Sequence, residues 1–113
     1  MNPEIIKEKI SKKELEKHLD VFGEMIKVVV DIEREIMTIG GSLHADGEKF
    51  LLEDGSKQDN IWGANIYPDA EDKDKIIYES LINIRPRRDN RTMEVQDVII
   101  RQKIEKIINK LLF

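Results

Sequence analysis

The spacing of apolar and polar positions changes period several times along the chain, and each change predicts an element. Ile26, Val28, Val30 and Ile32 alternate with Lys27, Val29 and Asp31. A period of two rich in β-branched side chains predicts a strand. "REIMTIGG" follows closely enough to complete a hairpin and is ended by Gly40 and Gly41, although no Asn-Gly or Asp-Gly pair marks the turn. "NIWGANIYP" predicts a further strand, with Trp62, Ala64 and Ile66 on one face, Asn65 on the other and Pro68 closing it. "KIIYESLINI" predicts the next, with Ile76, Tyr78, Ser80, Ile82 and Ile84 on one face and Pro86 as its stop. Ile5 to Ile10 reads as a short edge strand. "SLHADGEKFLLEDGS" fits no single period. Ser42 is a helix-cap residue, but Gly47 interrupts the helical pattern, so a strand from Glu48 to Glu53 ended by Asp54-Gly55 is preferred.

Two segments carry the helical period. Ser11 and Glu14 form a capping box, Ile10 and Leu15 a hydrophobic staple, and Leu15, Leu19 and Phe22 share a face before Gly23, which predicts a helix of about three turns. Near the other end Asp97 caps a helix whose buried face is Ile100, Ile104, Ile107, Ile108 and Leu111. The order predicts an α+β fold, a single domain over residues 1–113. It has a mostly antiparallel sheet of four or five strands, with the N-terminal and C-terminal helices on one face. No element is left to cover the second face. Val29, Met37 and Ile77 lie off the assigned inward faces, so association as a homodimer is expected.

Composition narrows the function classes. The chain has no cysteine, which excludes disulfides, thiolate zinc sites and cysteine nucleophiles. No apolar run approaches the roughly 18 residues of a membrane span, and charges break up "MNPEIIKEKI" at once. The expectation is a cytoplasmic protein without a membrane partner. The formal net charge is −4 and aromatics are 5% of residues. Neither an overall basic field nor a stacking ladder is present, so nucleic acid is not an expected partner.

Against that acidic background "NIRPRRDNR" places four arginines in a strand end and loop leading to the last helix. Arginine forks match carboxylates and phosphates in pairs of hydrogen bonds. Arg85, Asn90 and Arg91 are therefore the candidate residues for a small anionic ligand or acidic partner, with Asn65 and Trp62 lining the neighbouring strand. The plainer alternative pairs Arg85 and Arg91 with the chain's own carboxylates and leaves Arg87 and Arg88 solvated. A second candidate is His44 with Asp46 and Glu53. On an extended segment His44 and Asp46 would point to one side, where they could ligate a divalent metal or do acid–base work. The alternative is a loop histidine bonded to a nearby carboxylate. A third is calcium binding by the oxygen-rich runs Glu53–Asn60 and Asp69–Asp74, neither of which has EF-hand spacing. The leading expectation is a binding or interaction module without catalysis. No cofactor is indicated.

The blocks "GGSLHAD", "LLEDGSKQDNIWGANIYP" and "SLINIRP", then "NR" and a closing "KIEKIINKLL" helix, resemble a small prokaryotic family filed as a domain of unknown function. The resemblance runs from about Ile26 to the C-terminus. The family pattern tends to carry Gly before Asn-Arg, where this chain has Asp89. Asp tolerates left-handed backbone better than most residues, so the turn is expected to survive. The resemblance brings no activity, substrate or cofactor.

Overall fold

The computed structural model describes residues 2–113 and contains a five-stranded antiparallel sheet in the order β1-β3-β2-β4-β5. The strands are β1 (Glu4–Ile6), β2 (Ile26–Asp31), β3 (Ile36–Ile39), β4 (Ile61–Ile66) and β5 (Ile76–Ile77). The α-helices are α1 (Lys12–Glu16), α2 (His44–Glu53) and α3 (Val98–Leu112). The α+β class, the antiparallel sheet and the two terminal helices are as the periodicity predicts.

The alternation in β2 divides the core in two. Ile26, Val28 and Val30, with Met37, Ile39, Trp62, Ala64 and Ile66, face α1 and α3 and pack with Leu15, Ile104, Ile107, Ile108, Leu111 and Leu112. Burying these side chains contributes roughly 1.5–3 kcal/mol each before entropy is subtracted. Val29 and Ile36 face the other way and pack with Leu51 and Ile61. Their cover is α2, the segment for which the sequence favours a strand. The second face is thus closed, and Val29 lies beneath a helix of its own chain; Met37 belongs to the α3-side core. Gly47 explains the misreading. A Cβ at Gly47 would collide with Thr38 Oγ1 and come within 2.9 Å of Val29 Cγ2. The glycine lets α2 lie close on the sheet and does not break the helix.

Local chemistry places the connections. The Ser11 hydroxyl accepts from the Glu14 N–H as expected, but α1 ends after five residues. The three-turn prediction overshoots: Leu15 is buried, whereas Phe22 is 80% exposed, so the apolar face is not sustained. Asp31, fully buried, accepts from the N–H groups of Glu33 and Arg34 at 2.9 and 3.0 Å and so holds the β2–β3 turn without an Asn-Gly pair. Arg34 then donates to Ser56 and Asp54 at 2.9 and 2.8 Å, tying that turn to the end of α2. Asp97 caps α3 through the Ile99 N–H at 2.8 Å. The strand predicted over Lys75–Ile84 shrinks to Ile76–Ile77 and is followed by a 3₁₀ turn at Leu81–Asn83.

Candidate functional site

The arginine loop is a closed hairpin. Arg85 and Asn90 exchange backbone hydrogen bonds, Pro86–Arg88 makes a 3₁₀ turn, and Asp89 takes the left-handed conformation at φ 57°, ψ 26°. Asp therefore occupies the position that suits Gly, as its tolerance of that geometry allows.

Asn83 and Asn90 hold this loop to the sheet. Asn83, fully buried, accepts from the Gly63 N–H at 2.8 Å and donates to the Gly63 carbonyl at 2.9 Å and the Met93 carbonyl at 3.0 Å. A side-chain amide thus does for the outer edge of β4 what a neighbouring strand's peptide would do. Asn90 donates to the carbonyls of Asn83, Thr92 and Glu94 at 2.8, 3.0 and 2.8 Å and accepts from the Gln96 N–H at 2.8 Å. Its hydrogen-bonding capacity is spent inside the protein. It positions the loop and is not free for a ligand.

Arg85 is turned inward and Arg91 is not. Only 10% of the Arg85 side chain is exposed. Its guanidinium lies 5.0 Å from the Trp62 ring centroid, Nη2 reaches Glu48 Oε2 of α2 at 3.4 Å, and Nη1 is buried without a partner. Burial lowers its pKa, opposed by the charges of Glu48 and Asp59. Trp62 Nε1 is also buried and unpartnered. Arg85 lines a concavity of about 260 Å³ with Gln58, Asp59, Pro86, Arg87 and Arg88. The structure thus brings Trp62 and Arg85 together, and it places Arg87 and Arg88, exposed as the plainer alternative has them, at the rim of the same concavity. Arg91 is 70% exposed beside Asp89 at 3.8 Å and lies outside this concavity. Asn65 lies outside it too. Its amide donates to the Glu79 carbonyl at 3.2 Å.

His44, Asp46 and Glu53 are not brought together. They lie on α2 and not on an extended segment, so His44 and Asp46 sit about 200° apart around the axis, and Glu53 lies about 13 Å further along it. His44 Nε2 is 2.8 Å from the Ala64 carbonyl, to which it must donate. Burial lowers the His44 pKa, opposed by the hydrogen bonds to the Ala64 carbonyl and to Asn65, while nearby Lys27 lowers it further; with Nε2–H given to Ala64, the neutral ring carries its lone pair on Nδ1. In the acidic runs Asp54 is held by Arg34 at 2.8 Å and Lys7 at 3.1 Å, which lower its pKa, and Asp72 lies 3.5 Å from Lys75.

Among the described residues, the group of His, Asp and Glu close enough to share a cation is Glu4, Glu14 and His18. The sequence separates them into a strand and a helix and offers no signal that they meet. His18 Nε2 is 3.0 Å from Glu4 Oε2, while the Lys17 ammonium already sits 2.9 Å from Glu14. His18 Nδ1 is buried without a partner. A metal on Nε2 would put a bare N–H at that position, which burial disfavours. The group is best described as a His18–Glu4 hydrogen bond beside a Glu14–Lys17 ion pair.

The model of a family described as "Protein of unknown function (DUF5674)" matches residues 4–111, and the chain belongs to that family. No curated protein and no solved structure matches the chain. Among the described residues, no helix is long and apolar enough to cross a membrane.

Proposed function

We propose that this member of the DUF5674 family is a binding module for a small oxyanion, taken up in the concavity of Arg85, Arg87 and Arg88. The observation that carries the reading is Arg85: a guanidinium with 10% of its side chain exposed, whose Nη1 has no acceptor. A buried donor left bare costs about 1–3 kcal/mol, more when it is charged. Glu48 engages Nη2 only at 3.4 Å, so one edge of the fork is unsatisfied. An anion oxygen admitted beside Nη1 would complete it, with Arg87 and Arg88 supplying the rim charge. A volume near 260 Å³ suits a phosphate-sized group rather than a nucleotide.

The test is an amide chemical-shift titration with inorganic phosphate and with pyrophosphate, against chloride at matched ionic strength. Saturable shifts at residues 58–59 and 85–88, with Kd below about 10 mM, are expected. Arg85→Gln should abolish them. The double variant Arg87→Ala, Arg88→Ala changes only exposed side chains and should weaken binding several-fold. Absence of localised shifts, or unchanged affinity in the double variant, overturns the reading.

A further inference from the structure

A second cleft, of about 390 Å³, lies at the start of α2 and shares no lining residue with the Arg85 concavity. Its polar lining includes Lys27, His44, Asn65 and Glu79, and its rim includes Leu81 and Met93. Lys27 and Asn65 are directly opposed across β2 and β4, so their side chains leave the same face of the sheet at one level. The bond from Asn65 Nδ2 to the Glu79 carbonyl brings the Glu79 segment against the same place.

Three features of this cleft are unfinished. Lys27 and Glu79 are each only partly exposed, and among the described residues neither takes part in an ion pair. Each therefore keeps part of its hydration and has no counter-charge among the described residues. Asn65 Oδ1 is buried without a hydrogen bond of normal geometry, beside the His44 ring. Leu81 is 72% exposed and Met93 43% exposed at the mouth. His44 adds an acceptor: its N–H is committed to the Ala64 carbonyl, which leaves Nδ1 as a lone pair.

We propose that this cleft binds a free α-amino acid with an apolar side chain. The ligand's carboxylate pairs with Lys27. Its ammonium donates to Glu79 and to Asn65 Oδ1. Its side chain covers Leu81 and Met93. A ligand of single charge would satisfy one of the two unpaired groups and leave the other, whereas a zwitterion satisfies both. The volume falls in the roughly 300–1,000 Å³ range of small-molecule sites.

The experiment titrates the intact protein with L-leucine and L-methionine, then with N-acetyl-L-leucine, which lacks the ammonium, and L-leucinamide, which lacks the carboxylate. At least one amino acid should give saturable amide shifts at residues 27, 43–45, 65 and 79–82. Each blocked analogue should bind about tenfold or more weakly, the loss of one charged contact. Lys27→Met should weaken L-leucine and leave leucinamide unchanged; Glu79→Gln should weaken L-leucine and leave N-acetyl-leucine unchanged. No localised shift from either amino acid at about 10 mM, or blocked analogues binding as well as the parent, overturns the proposal. The analogue arm uses the unaltered protein, and the perturbed residues differ from those of the phosphate titration, so the two sites stand or fall separately.

Discussion

Replacing Asn83 with Ala tests whether one side chain substitutes for a strand. The change strips the Gly63 N–H and carbonyl of their partner at 2.8 and 2.9 Å and removes the bond to the Met93 carbonyl at 3.0 Å. The two Gly63 groups are buried, so each left bare costs about 1–3 kcal/mol; the partly wet Met93 bond adds a net of about 0.5–1.5 kcal/mol. The expected loss is about 4 kcal/mol, a large share of the roughly 5–15 kcal/mol that holds a domain folded. At about 4 °C per kcal/mol for a chain of this size, the melting temperature should fall by about 15 °C. Urea unfolding followed by circular dichroism measures the free energy. Hydrogen exchange at the Gly63 amide shows where it is lost, since protection there should fall even under conditions where the variant is folded. Asn83→Asp keeps one acceptor for the Gly63 N–H but turns a carboxylate oxygen toward two carbonyls, so it should not restore stability. A loss below about 1 kcal/mol in Asn83→Ala, or unaltered exchange at Gly63, would refute the reasoning.

Gly47→Ala gains up to about 1 kcal/mol in helix propensity but drives a methyl into Thr38 and Val29. The overpacking cost of about 1–3 kcal/mol should win, and a stabilised variant by urea unfolding would show that α2 does not press on the sheet as described. For His44 the folded pKa lies below that of the unfolded chain, because burial opposes the charge. Its contribution is therefore complete above the unfolded value near 6.5 and is lost as pH falls from there through the folded value. The slope is at most about 1.4 kcal/mol per pH unit. His44→Gln should be flatter than the parent between pH 7.5 and 5.5; equal slopes would mean the ring protonates freely in place.

Elements driven by burial on one face were legible because their period is a direct record of packing: β2, β4, α3 and the caps of Ser11 and Asp97 all follow from spacing. The failures share a cause in contacts distant along the chain. Gly47 looks like a breaker until Thr38 and Val29 are placed beneath it. Ser80, Ile82 and Ile84 alternate like a strand, yet Ser80 accepts from the Ile82 N–H at 3.3 Å and turns the backbone, while Asn83 takes over the pairing with β4. The candidate site was half legible. Arg85 and Trp62 do meet, although the strand predicted to carry Arg85 ends at Ile77: the 3₁₀ turn at Leu81–Asn83 and the hairpin closed by Asn90 set its guanidinium over the Trp62 ring. Asn90 and Arg91 diverge, because a tight hairpin sends one inward to the backbone and the other to water. His44 kept its interest and lost its partners once its segment proved helical.

The clamp at Gly63 also sets the size of the sheet. Beyond β4 the ladder continues for two residues, Asn65 with Ile77 and Ile66 with Ile76. At Gly63 the outward N–H and carbonyl are already taken by a side chain that ends there and offers no backbone of its own to the next comer. An extended segment from another molecule approaching this rim must evict Asn83 before it can add a rung, whereas a strand in the same place would present a fresh template. Termination by a side chain closes this part of the β4 rim, and it links folding to solubility: the chain that loses Asn83 should become less stable and at the same moment bare an unpaired N–H and carbonyl at Gly63.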